Sequence, residues 1–354
     1  MKKKQRISFI DIAKALAIIC VVLGHTKFAQ SHFLYLFHVV VFLILSGHFF
    51  QKESINSKKQ LSNYFYKRFL GIYIPYFIGN LICILFNNIF IELGLYSSIT
   101  HQYLGVREIV FAIIKNIFMI GDTEMLGASW FLRLLFGITI LYSVIEYLIN
   151  RLNKGFTKKT ITYQTIISLL FLLLIPFISL FTNIALLKFY IQIPICYWSY
   201  HFGRIIGPKL NSINKFSIKT ILGSFSLSFF ALLIMNHIGS IEISKNIYTN
   251  ILFFISTSIA GYIFIVSTSL FLDKFKTPQK ILTKIGQNTM AILLLHLAIF
   301  KIVNIILVII LNDRNLNIYD FPTTSNLVLP YIVPGLSIPV LTSVLYERIK
   351  NGNK

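Results

Sequence analysis

Acidic residues are scarce in this 354-residue chain: 12 Asp and Glu stand against 33 Lys and Arg, a formal charge of +21, and only 13% of all residues are charged. Soluble domains are about one quarter charged, so a water-soluble globule is excluded. The nucleic-acid partner that such a basic balance would suggest in a polar chain goes with it. Cysteine is scarce too. Cys20, Cys83 and Cys196 all fall in apolar runs, where a thiol acts as a small hydrophobe, which excludes a disulfide framework and any metal-type spacing. An uncleaved first span is expected in place of a cleavable secretory signal: Asp11 and Lys14 interrupt the first apolar run and no small-residue cleavage site follows it. No internal repeat, low-complexity segment or long polar stretch divides the chain, so residues 1–354 are expected to form one integral membrane domain with no separate soluble part.

What is present is hydrophobic length, since 56% of the residues are apolar or aromatic. A membrane helix takes roughly 20 residues. Apolar stretches of that size occur at 9–29, 32–50, 69–91, 129–150, 162–183, 187–207, 219–236, 249–272, 287–311 and 328–346. The predicted fold class is therefore all-α and polytopic, with about ten transmembrane helices. Placing the Lys-rich N-terminus in the cytoplasm puts 24 of the 33 cations on inner segments and eight on outer segments or outer span ends, with Lys14 inside the first span. That bias satisfies the positive-inside rule with both termini cytoplasmic. The connection 92–128 is the largest outer one, and its piece Arg107–Met119 is too short and charged to span, so an interfacial or re-entrant helix is predicted there.

Ionisable groups inside spans are costly and are functional candidates by default. At 100° per residue, Lys14 and His25 differ by only about 20° around the first helix, with Asp11 about 40° to the other side, while the rise sets Lys14 and His25 about 16 Å apart. One face thus carries three polar groups that cannot all meet, a spacing suited to a long ligand. Two simpler readings stay open: Lys14 pairs with Asp11 at i, i+3 and snorkels, and His25 makes an interhelical hydrogen bond. His38, about six residues into the second span, falls at a depth similar to His25, so the two imidazoles could share a proton network. Trp130 at a span end is an interfacial anchor or a stacking platform, and His296, near a span centre, seals a helix contact or touches substrate. Arg133, Glu146 and Arg204 lie near span ends, where snorkelling is expected; Asp122 and Glu124 are expected in a solvated loop.

These residues fall into ordered motifs: Lys14 and His25 with ten residues between them, Phe37-His38 running to Ser46-Gly47, Lys67-Arg68 leading to Pro75-Tyr76, Trp130-Phe131-Leu132, and Gly286-Gln-Asn288-Thr289 leading to His296. In combination and over nearly the whole chain, the sequence resembles the acyltransferase-3 family of membrane O-acyltransferases, bacterial proteins that acylate surface sugars. It departs from the family pattern at Lys14, where Arg is commoner outside the branch similar to fucose 4-O-acetylases, and at Gly71, where many members carry a second Arg. Lysine offers a point charge in place of a bidentate fork.

The resemblance implies an acetyl or other acyl-CoA donor as the only cofactor, a sugar or polysaccharide acceptor, and a multi-pass place in the plasma membrane, with no metal and no nucleic acid. It implies His25 as the base, with His38 and Asp11 completing the catalytic group. Lys14 and Arg68 would hold the donor's phosphates, and Ser46, Trp130 and His296 are possible substrate contacts. A multi-pass transporter or flippase for a polysaccharide or small solute is the alternative, although duplicated halves and broken midplane helices are not visible and the polar residues crowd into the first quarter of the chain.

Overall fold

Residues 7–50, 55–97, 99–153, 155, 157–213, 215–312 and 316–352 are described by the structure, a computed structural model. The principal elements are α1 (Ser8–Gly24), α2 (His38–His48), α3 (Lys58–Leu85), α4 (Val106–Ile117), α5 (Trp130–Leu152), α6 (Lys158–Leu172), α7 (Gln192–Ile206) and α8 (Ile218–Ile238). A two-stranded hairpin follows, β1 (Ile241–Glu242) and β2 (Ile247–Tyr248), then α9 (Ile251–Leu272), α10 (Lys276–Gln287), α11 (Thr289–Leu311) and α12 (Leu329–Gly352). The fold is all-α and polytopic.

Burial follows the logic of a lipid environment. α6 buries Thr160, Gln164 and Ser168, spaced at i, i+4 and i+8, and turns Ile166, Leu169, Leu170 and Leu173 outward. A soluble helix would do the reverse; in lipid the polar stripe must find partners inside the bundle. It does: Tyr197 donates its hydroxyl proton to Gln164, and His201 sits between the hydroxyls of Tyr142 (2.9 Å) and Thr165 (2.8 Å). α8 likewise exposes Leu227, Phe230, Ile234 and Ile238.

Eight helical stretches among the described residues are long and apolar enough to cross a membrane, including those starting at Ser31, Glu124 and Thr289. The other two predicted spans are shorter helices. α1 has 17 residues and ends at Gly24, five residues short of the predicted limit at 29, leaving His25 as its C-cap; α7 has 15. At 1.5 Å per residue these cover about 26 and 22 Å, less than the roughly 30 Å hydrocarbon core. Both run through the interior: α1 packs on α2, α9, α10 and α11, and α7 on α2, α5 and α6. A helix ringed by protein has no lipid thickness to match. The predicted interfacial helix near 107–119 is present as α4.

Close backbone approach fixes these interior contacts, and the motif glycines permit it. A Cβ on Gly47 of α2 would lie 2.1 Å from the Tyr200 carbonyl oxygen, one on Gly203 of α7 would lie 2.0 Å from that of Ile44, and one on Gly286 of α10 would lie 1.8 Å from that of Asp11. Such small-residue faces drive helix association where the hydrophobic effect gives nothing. α3 carries one π-turn, Phe69–Tyr73, between Arg68 and Pro75; proline supplies no N–H to the ladder, and a wider turn absorbs the loss.

The polar residues near span ends are paired within the protein, which corrects the snorkelling expected for them. Arg133 is only 4% exposed and donates from Nη1 to Asp122 Oδ2 (3.0 Å) and to the Met119 carbonyl (2.7 Å). Arg204 lies 3.9 Å from the buried Glu146. Asp122 is therefore no solvated loop residue: it also accepts from Ser129 Oγ (3.0 Å), while Asn80 donates to Ser129 and accepts from the backbone and hydroxyl of Thr123. Burial pushes the Asp122 carboxyl above its ordinary range, with Arg133 and Ser129 acting against that shift. Glu124, the other acid of this turn, lies 3.3 Å from His101 and 3.6 Å from the buried Lys301. This polar clamp holds the segment that leads into Trp130 and Phe131.

Candidate active site

Two cavities lie along the same side of α1. The first, about 650 Å³, is lined by His25, Tyr35, His38, Trp130, the hairpin residues Glu242, Ile243 and Ser244, and the apolar Val21, Val39, Phe42, Ala128, Phe131 and Leu293. The second, about 780 Å³, is lined by Lys14, Ser46, Arg68, Phe49 and Thr289 among apolar neighbours. Phe42, Phe131 and Leu293 line both cavities, so the chambers are neighbours divided by a shared apolar waist, where the ring centres of Phe42 and Phe131 lie 5.7 Å apart. Lys14 and His25, predicted to share a face of one helix, thus line two neighbouring chambers.

In the His25 chamber the imidazoles are held differently. His38 Nδ1 is 2.6 Å from the Leu34 carbonyl. A carbonyl only accepts, so Nδ1 carries the proton, and in the neutral ring Nε2 keeps its lone pair. His25 has no hydrogen-bond partner among the described residues; its ring lies 5.3 Å from that of His296. His296 donates from Nδ1 to the Ile292 carbonyl (2.8 Å), and its Nε2 is buried without a partner among the described residues. It does not line either chamber; it backs His25 from α11. Tyr35 lies against His38, the rings tilted by 54° with centres 5.2 Å apart, and donates to the Gly24 carbonyl (2.8 Å), satisfying one of the carbonyls orphaned where α1 ends. Trp130 lines this chamber beside both histidines.

In the Lys14 chamber, Lys14 Nζ sits 3.3 Å from Asp11 Oδ1 and 5.1 Å from the centre of the Phe49 ring. Gln287 donates to the other Asp11 oxygen (3.3 Å). Asp11 therefore belongs with Lys14, more than three helical turns from His25, and its grouping with the histidines is not what the geometry brings together. The Arg68 guanidinium lies over the Tyr64 ring at 4.8 Å, and Arg68 and Ser46 line the chamber together with Lys14. This end has two cations and room around them; the other has two imidazoles. Among the described residues no cluster of His, Cys, Asp and Glu has the arrangement to hold a metal ion.

The sequence reading missed Tyr35, Glu242 and Ser244. Tyr35 lies between the two histidine motifs and could have been noticed for its place in the short outer turn. The hairpin residues carry no signal, because Glu242 is some 200 residues from the histidines it faces.

Among curated proteins and among solved structures, nothing matches the chain. The family model described as an acyltransferase domain, Acyl_transf_3, matches residues 7–348, a span that holds every residue of both chambers. The chain belongs to the acyltransferase-3 family and is a membrane acyltransferase.

Proposed function

We propose that this acyltransferase moves an acetyl group from a cytoplasmic acyl-CoA to a hydroxyl of a cell-surface or exopolysaccharide sugar, from a place in the plasma membrane. The observation that carries the reading is the shared waist: a chamber lined by a cation pair and a chamber lined by an imidazole pair lie on either side of Phe42, Phe131 and Leu293. Lys14 and Arg68 lie at the end that the Lys-rich segments mark as cytoplasmic, and they suit the diphosphate of a coenzyme A ester. The apolar waist suits the uncharged pantetheine arm, which would bring the thioester carbonyl to His25.

There the acceptor hydroxyl loses its proton to His25 as its oxygen bonds to the carbonyl carbon. The resulting tetrahedral centre collapses with cleavage of the carbon–sulfur bond, and the proton passes to the departing thiolate. The products are an O-acyl sugar and free coenzyme A, so no other reactant is needed. Histidine fits because its ordinary pKa lies near neutrality. His38, with its tautomer set by Leu34, orients the hydroxyl or the carbonyl oxygen, and His296 supports the His25 ring from behind. Asp11 and Gln287 keep Lys14 in place. The test is coenzyme A release from acetyl-CoA by purified protein supplied with sugar acceptors. Acceptor-dependent release that vanishes in His25→Ala supports the reading. Solute flux that needs neither acetyl-CoA nor His25 would replace it with transport.

A further inference from the structure

The His25 chamber is closed on one side by the hairpin between α8 and α9, and this small element is heavily anchored. Buried Gln192 of α7 donates to the carbonyls of Ile243 (2.8 Å) and Ser244 (3.3 Å). Asn246, in the left-handed conformation at φ 59° that asparagine tolerates, donates from its side chain to the Lys188 carbonyl (2.9 Å). Tyr248 packs edge-on against Phe254. An element held this firmly can present a side chain at a fixed place, and the one it presents with charge is Glu242. Among the described residues lining that chamber Glu242 is the only carboxylate, and neither Lys nor Arg lines it; both lining cations belong to the other chamber. Lys245 reaches Glu242 Oε1 at 2.9 Å, but it does so from outside: the Lys245 side chain is 68% exposed and that of Glu242 25%. Among the described residues no cation reaches Oε2.

Resting on the acyl-transfer reading above, we infer that Glu242 is a specificity residue and that the sugar unit accepting the acyl group is uncharged. A carboxylate accepts strong charge-assisted hydrogen bonds from sugar hydroxyls, and Tyr35, Trp130 and Phe131 offer aromatic and apolar faces for the C–H side of a sugar ring. An acidic sugar fares badly in the same place. Its carboxylate would meet Glu242 between largely apolar walls that carry no Lys or Arg among the described lining residues, where like-charge repulsion is stronger than in bulk solvent.

The matched probes are methyl glucoside and methyl glucuronide, which differ only in a hydroxymethyl or a carboxylate at one carbon. With acetyl-CoA as donor, transfer to the glucoside is expected to exceed transfer to the glucuronide by at least about tenfold. Glu242→Gln is expected to lower kcat/KM for the glucoside by about tenfold through the acceptor KM, leaving the donor KM in place, and to narrow the preference over the glucuronide. Lys245→Met breaks the same ion pair but keeps the carboxylate, and is expected to retain the preference. Equal losses in Glu242→Gln and Lys245→Met would mean that the ion pair merely holds the hairpin, and would overturn the proposal. So would a wild-type enzyme that acylates the glucuronide as well as the glucoside. Binding of the radiolabelled glucoside without donor separates the two levels. If the glucoside binds in a Glu242-dependent way and no acyl group is transferred, the sugar site stands and the acyl-transfer reading fails; if it neither binds nor is acylated, the sugar assignment is wrong.

Discussion

The two chambers share three walls and differ in almost everything that carries charge. The Lys14 end holds two cations, one of them braced by Asp11 and Gln287; the His25 end holds two imidazoles and a single carboxylate. A uniform polar channel, as for a hydrated solute, would not segregate its charges so. The segregation suits one ligand that is anionic at one extremity and neutral along its length, meeting a second ligand that is neutral and rich in hydroxyls. The apolar residues Phe42, Phe131 and Leu293 form the boundary that the two chambers share.

The largest expected effect is at the imidazole end. His25→Ala is predicted to reduce acyl transfer about a thousandfold, within the span of general-base contributions, with unchanged thermal stability in detergent; coenzyme A release measures it. An active His25→Ala enzyme alongside an inactive His38→Ala one would shift the base to His38, whose Nε2 is already free. Next comes the clamp that positions the waist. Asp122→Ala leaves Arg133 buried without its anion, a loss of about 3 to 5 kcal/mol, read as a lowered unfolding temperature. Because Phe131 borders both chambers, donor and acceptor KM are expected to rise together in this variant. A selective effect comes third: Lys14→Met is predicted to raise the donor KM by about ten- to thirtyfold, the worth of a charge-assisted contact, and to leave the acceptor KM alone. If it weakens both alike, the chambers are not separate functions. Lys14→Arg is expected to retain most donor affinity. The smallest effect is at the waist, where Phe42→Leu is predicted to change kcat by about threefold or less, since a smaller apolar side chain still excludes water.

Much of this was legible in the sequence where spacing within one helix carries the information. Lys14 and His25 sit eleven residues apart on one helix, so their common face follows from the helical repeat, and the Ser46-Gly47 and Gly286 motifs mark the places where backbones touch. The membrane character of α6 follows from composition, and the polar stripe Thr160, Gln164, Ser168 shows which side turns inward. What could not be read depends on contacts across long stretches of chain. The approach of His296 to His25 joins residues 271 positions apart, and the pairing of Arg133 with Asp122 depends on a turn that folds back under α5. The early end of α1 at Gly24 has a local cause, the capping of its last carbonyls by Tyr35, yet nothing in an apolar run of that length announces it. The hairpin carrying Glu242 is the extreme case, a short connection of no unusual composition that becomes part of the site only because α7, anchored through Gln192, holds it there.

The central claim is that one extended ligand joins the two chambers through the waist, and the most direct measurement is the structure of the protein bound to a non-reactive thioether analogue of acetyl-CoA. The diphosphate is expected against Lys14 and Arg68, the pantetheine arm between Phe42 and Phe131, and the sulfur beside His25. A diphosphate found in the chamber of His25 and Glu242, or an arm that leaves the Lys14 chamber without crossing the waist, would contradict it.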